Sequence, residues 1–169
     1  MSNENINDAV EAVDEAAVEV VEAVEVAAQD PEAFKQAFRQ FADVFHDASP
    51  RFKIVWDFVP DRPDYGVENY YPGDEAVDVI GQDVYWQRLY QSQDPLEAFD
   101  QSVNGHGRGL AWVADFAEAR GKQIALPEWG ASGDDAGPWI DAMDAWMDSH
   151  DVVFANYWDD DTAYPGRYS

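Results

Sequence analysis

The chain contains no cysteine and only three lysines, Lys35, Lys53 and Lys122, among its 169 residues. The first absence excludes a disulfide framework and thiol chemistry. The second belongs to a wider shortage of cations: 10 basic residues face 35 acidic ones, for a net charge of −25. Nucleic-acid binding needs cationic surface to displace counterions, so that class is excluded, and anionic membranes are excluded as partners on the same ground. No run of about 18 apolar residues occurs, so no transmembrane helix is expected. The acidic N-terminus also lacks the basic and apolar regions of a signal peptide. No metal or cofactor is expected. His46, His106 and His150 share no ligand spacing. Asp134-Asp135 and Asp159-Asp160-Asp161 lack the glycine and spacing of a calcium loop and read as solvated acidic loops.

What the chain does have is acid and aromatic rings. The acidic excess suits a high-salt setting, where self-repulsion is screened, as well as it suits a plainly soluble protein. Aromatics make up 14% of residues, with seven Trp, enough to fill a core and to stack on sugars as well. The length allows one domain with a real core. It falls short of the roughly 250 residues of a complete (β/α)8 barrel.

Residues 1–30 differ from the rest, with nine acids and no base. Ile6, Val10, Val13, Ala17, Val20, Val24 and Ala27 alternate spacings of four and three, the a and d positions of a heptad. An acidic amphipathic helix of about 24 residues is predicted, for docking or oligomerisation. Its rival role is packing on its own domain. Asp30-Pro31 ends it, because the residue before proline leaves the helical region. A second helix then runs from Pro31 to about Asp47, with Phe34, Ala37, Phe38, Phe41, Val44 and Phe45 as its apolar stripe. Strands are predicted at 52–58, 77–85, 123–128 and 152–158. Helices are predicted at 95–103, 110–120 and 138–149, and residues 86–95 as an irregular aromatic loop. Strands alternating with helices predict parallel βα units and an α/β fold. Trp56, Trp112, Trp139 and Trp146 lie at apolar positions and are assigned to the core.

Three segments carry the functional signal. Ala125-Leu126-Pro127-Glu128-Trp129-Gly130 ends a buried run on a carboxylate and an indole. Upstream lies Val77-Asp78-Val79-Ile80-Gly81-Gln82-Asp83-Val84-Tyr85, introduced by Tyr70-Tyr71-Pro72-Gly73-Asp74. Downstream lies Val152-Val153-Phe154-Ala155-Asn156-Tyr157-Trp158. Their order and spacing resemble the C-terminal half of glycoside hydrolase family 26, the β-mannanase and β-glucanase family, over roughly residues 31 to 169. The resemblance implies a half (β/α) barrel, with the four parallel strands as barrel strands five to eight. It implies Glu128 at the nucleophile position and Tyr85 orienting it. It makes Trp158 the aromatic platform under the sugar, with Trp129, Trp86, Tyr70 and Tyr71 as flanking substrate contacts.

The family's acid sits on the fourth strand, just before the helix that here begins at Pro31. Residues 1–30 hold no segment of that kind, and Asp57, which ends the first strand, is not at the acid's position. Three functions remain open on this reading. One is a glycosidase-derived carbohydrate-binding or structural module for β-linked polysaccharide without full catalysis. Another is a retaining endo-β-glycosidase completed by another chain, or another copy, along open barrel edges. The third is an architectural subunit of a virion or surface assembly held through residues 1–30.

Overall fold

The structure is a computed structural model that describes residues 30–59, 66–133 and 135–159, apart from the His106 side chain. The helix expected within residues 1–30, and Asp134, Asp160 and Asp161, lie outside the described residues. The chain forms two compact units, Met1–Ile54 with Gly66–Asp78, and Val55–Tyr65 with Val79–Ser169.

In the first unit, helix α1 spans Pro31–Ala48. Asp30 does more than end the preceding segment. Its carboxylate caps α1 by accepting from the Glu32 and Ala33 backbone N–H groups, with Pro31 inside the first turn, where a missing N–H costs nothing. Phe34, Phe38, Phe41 and Phe45 form a ladder of rings with successive centroids 6.0, 6.4 and 4.5 Å apart. The last three pack on buried Ala42, Ile54 and Ala76.

Asp78 ties this unit together. It accepts from the Ile54 backbone N–H at 2.8 Å and Lys53 Nζ at 3.2 Å, and it bonds His46 Nε2 at 2.9 Å. Partial burial pushes the carboxyl up, but these three partners together hold it below its ordinary value. A depressed carboxyl stabilises the fold above its unfolded value and loses that contribution as pH falls below it. Asp78→Asn is therefore expected to lower stability by about 1–3 kcal/mol near neutrality. Thermal unfolding should show the difference from wild type shrinking as the pH drops below the ordinary 3.8.

The second unit is built on a wholly parallel sheet. Its strands are β1 (Val55–Trp56), β2 (Val79–Gly81), β3 (Val84–Trp86), β4 (Gln123–Ala131) and β5 (Val152–Tyr157). Helices α2 (Pro95–Asn104), α3 (Leu110–Glu118) and α4 (Gly137–Ser149) connect them. The single strand expected at 77–85 is interrupted. β2 pairs with the start of β4, Gly81 opposite Ala125, and β3 pairs with its end, Val84 opposite Trp129. Two residues, Gln82 and Asp83, thus oppose three, Leu126 to Glu128. The cause is Pro127, which cannot donate to a ladder and is tolerated in a central strand only at such an irregularity. β5 runs along the opposite edge of β4 and shifts register at the same place. The four expected strands therefore stand in sequential order, β1, β2/β3, β4, β5, all parallel. This is part of a (β/α) barrel.

Alternation along these strands separates two faces. Trp56, Ile80, Trp86, Leu126 and Trp129 are buried with Leu110, Val113, Phe116, Trp139 and Met143 of the helices. Trp86 and Trp129 each stack on Trp139, at 6.4 and 6.1 Å. Gln82 is buried on this side, where its amide donates to the Arg108 carbonyl at 2.7 Å. Gly121, with φ 63°, adopts the left-handed turn that ends α3 and leads into β4.

Candidate active site

The second face carries the polar groups. Trp56 is committed to the helices, so Asp57, immediately after β1, turns the other way. Gly81, Asp83 and Tyr85 share one parity, and they fall on the same side as Asp57. Tyr85 Oη donates to Glu128 Oε2 at 2.7 Å. The contact depends on two small features of β4. Gly130 lies under the tyrosine ring, and a Cβ there would meet two ring carbons at 3.3 and 3.4 Å and the Trp158 carbonyl at 3.3 Å. Asn156 of β5 donates to the Pro127 carbonyl at 3.1 Å, which supports the bend that presents Glu128. Glu128 lies within β4 rather than at its end, because β3 continues the pairing as far as Ala131.

Asp57, Asp83 and Glu128 form a group of three carboxyls. Asp83 donates its backbone N–H to the Phe58 carbonyl at 3.1 Å, which draws the β2–β3 connection onto the end of β1. Burial, then the Glu128 charge, push the Asp83 carboxyl up, and hydrogen bonds from Asp57 and the Glu128 backbone oppose them. The Asp57 carboxyl is pushed up to about 7, by desolvation, by the Asp83 charge and hydrogen bond, and by Glu128; the Phe58 backbone N–H pulls the other way. As a residue Asp57 keeps solvent exposure, so the pairing with Asp83 is the firmer of these causes.

The aromatic residues divide. Trp158 follows β5, is half-buried, and donates its backbone N–H to the Trp129 carbonyl at 2.8 Å. Trp86 and Trp129, expected as sugar contacts, are core residues in this structure. Trp86 is fully buried, with its indole N–H on the Ser92 carbonyl at 2.9 Å. Trp129 is buried between Trp139 and Tyr157. The reason is strand alternation: Tyr85 and Glu128 face one way, so their immediate neighbours face the other. Trp86 also belongs to β3, not to the loop expected from residue 86. Tyr70 and Tyr71 belong to the first unit. There Tyr70 meets Phe34 edge to face at 5.6 Å, and Tyr71 donates to Asp74 at 2.8 Å. Asp83 was missed as a site residue. Its signal was present in its position two residues before Tyr85, hence on the same face.

A parallel βα segment that gathers carboxyls and a tyrosine on the face away from its helices is a portion of a (β/α) barrel. The chain belongs to glycosyl hydrolase family 26, whose family model matches residues 24–152. A mannan endo-1,4-beta-mannosidase of Bifidobacterium adolescentis is 32% identical over 107 residues, covering 60% of this chain and 10% of the relative. Among solved structures, a family 26 β-mannanase from Bacteroides ovatus is similar with TM-score 0.59 and 21% identity, over 82% of this chain and 38% of that one. A modular endo-β-1,4-mannanase from Cellulomonas fimi is similar with TM-score 0.55 and 22% identity, over 84% and 32%. The chain thus spans a tenth of the curated relative and about a third of these structures.

Proposed function

We propose that this chain is a glycosidase-derived module that binds β-1,4-linked mannan or glucan and supplies the nucleophile side of a retaining site. The observation that carries the reading is the 2.7 Å bond from Tyr85 Oη to Glu128 Oε2 on the barrel's polar face. In a retaining glycosidase one carboxylate attacks the anomeric carbon while a second carboxyl about 5–5.5 Å away protonates the leaving oxygen. Glu128 takes the first role. Tyr85 holds one of its oxygens in place, leaving the other oxygen to attack. Trp158 is the platform for the sugar's C–H face. Among the described residues none takes the acid's role, and a missing general acid costs about 10²- to 10⁴-fold. On natural mannan this chain by itself is therefore inactive or nearly so.

The test is binding of mannohexaose followed by tryptophan fluorescence. The wild type should show saturable quenching. Trp158→Ala should weaken affinity by at least about tenfold, because the indole supplies buried apolar contact. Equal affinity in the variant would remove Trp158 as the platform. Multiple-turnover cleavage of mannan by the purified chain alone would overturn the inactive reading.

One observation favours completion by another chain as a second reading. β5 pairs only with β4 among the described residues, and Val153, Phe154 and Tyr157 along it are exposed. A strand edge bearing apolar side chains is a surface that folded assemblies cover.

A further inference from the structure

Tyr85 stands on β3, and the hold of β3 on the sheet is short. The strand has three residues and pairs only with β4 among the described residues, Val84 to Trp129, Tyr85 to Gly130 and Trp86 to Ala131. So brief a ladder has few bonds with which to fix its register. The tyrosine depends on that register. Its ring rests on Gly130 and its hydroxyl donates to Glu128 Oε2 at 2.7 Å, so a slip of β3 along β4 draws the donor away from the carboxylate. The bond from the Asp83 backbone N–H to the Phe58 carbonyl pins the start of β3. Arg88 pins its end.

Two residues beyond β3, Arg88 reaches across to the loop that follows β4. Its Nε donates to the Ser132 carbonyl at 2.6 Å, and its guanidinium pairs with Asp135. The guanidinium also lies over the Trp86 ring, 4.3 Å from the centroid. Ser132 ties back in the other direction: its hydroxyl and its backbone N–H both donate to the Trp86 carbonyl, at 3.1 and 3.4 Å. Gly133 lets the guanidinium come this close. Its φ is 101°, and a Cβ there would stand 3.0 Å from Arg88 Cζ, Nε and Nη2. The Arg88 backbone is itself held, since the Gln93 amide donates to its carbonyl at 2.7 Å. These ties continue the β3–β4 pairing past Trp86 and Ala131, where the ladder ends. They are not equal. Asp135 is exposed, and an exposed ion pair contributes little, so the weight falls on the Nε bond and on the packing against Trp86 and Gly133.

The geometry points to Arg88 as a positioning residue: it clamps the end of β3 to the β4–α4 loop and thereby keeps the Tyr85 hydroxyl on the Glu128 carboxylate. The inference rests on the reading of Glu128 as the nucleophile. In this role Arg88 acts only through Tyr85. Lysine does not replace it, because an ammonium lacks the planar fork that serves Ser132 and Asp135 while lying flat against an indole.

A double-mutant cycle on the full-length chain tests this, read by the burst of aryl release from a dinitrophenyl β-mannoside and by carbon NMR of tyrosines labelled at Cζ. Arg88→Ala should slow the burst by roughly 10- to 100-fold, the scale of one hydrogen bond to a charged group. In the Tyr85→Phe background the same substitution should change the rate by less than about twofold, because the bond that Arg88 secures is already absent. Arg88→Lys should resemble Arg88→Ala, and Asp135→Ala should stay within about threefold of the wild type. The Cζ resonance that Tyr85→Phe removes should move, in Arg88→Ala and Arg88→Lys, toward the position of a tyrosine bonded only to water. The inference is overturned if that resonance does not move. It is overturned as well if Arg88→Ala slows the burst equally with and without the Tyr85 hydroxyl, as a general loss of structure would. If Arg88→Ala does not fold, Arg88→Lys carries the same comparison. If the resonance moves as expected but the wild type gives no burst, the positioning role stands and the nucleophile reading falls.

Discussion

Replacing Glu128 by alanine is expected to lower the rate of aryl release from a dinitrophenyl β-mannoside by on the order of 10⁴-fold or more, the scale on which single members of a covalent catalytic unit act. An activated aryl oxide leaves with its bonding electrons and needs little protonation, so this substrate isolates the attack step from the absent acid. On the proposed reading, the free oxygen of Glu128 is expected to attack the anomeric carbon as the aryl oxide departs, and a mannosyl ester is expected to accumulate where no second carboxyl activates water. Aryl release should therefore show a burst approaching one equivalent per chain, and mass spectrometry should find one added mannosyl group on the peptide that contains Glu128. Tyr85→Phe keeps the ring over Gly130 and removes only the hydroxyl bonded to Oε2. A hydrogen bond to a charged group contributes about 1.5–3 kcal/mol, so the burst should slow by roughly 10- to 100-fold rather than disappear. A burst that survives Glu128→Ala at the wild-type rate would assign the attack to another residue.

The second large effect is on stability. Trp139→Ala in α4 should destabilise the second unit by about 3–5 kcal/mol, the cost of a large-to-small change at a fully buried ring. Trp139 is fully buried and stacks on both Trp86 and Trp129, so its loss opens a cavity beneath β3 and β4. The indole N–H groups of Trp129 and Trp139 are buried without acceptors among the described residues. Trp139→Phe removes one of these unpaired donors while keeping most of the ring, and should cost well under half as much as the alanine. Urea unfolding of the three proteins gives the comparison. If Trp139→Ala left stability unchanged, the indole stack would not be part of the core.

The two effects come from opposite faces of the same strands, and that division explains which residues were legible in advance. The helices over Pro31–Ala48, Pro95–Asn104 and Gly137–Ser149 could be read from apolar spacing and proline punctuation, because a helix is specified by residues three and four apart. The parallel order of the strands followed from their alternation with helices. Tyr85 and Glu128 stood out because each lies in a short apolar run of recognisable composition. The burial of Trp86 and Trp129 was within reach of the same period of two, since a strand that turns Tyr85 toward Glu128 must turn Trp86 away. A count of aromatics near the motif obscured that constraint.

What residue order by itself determined is local: where helices start and stop, which strand residues share a face, and the large acidic excess with its consequences for partners. Tertiary structure decided what depends on register between segments distant in the chain. Asp57, Asp83 and Glu128 share one face only because Val55 pairs with Val79, because the β2–β3 strand breaks opposite Pro127, and because Gly81 leaves room for the Asp57 carboxyl. None of those residues shows that proximity from its own stretch of chain. A carboxyl shifted by its neighbours needs them held close in partly desolvated surroundings, and neither closeness nor desolvation exists until the strands have paired.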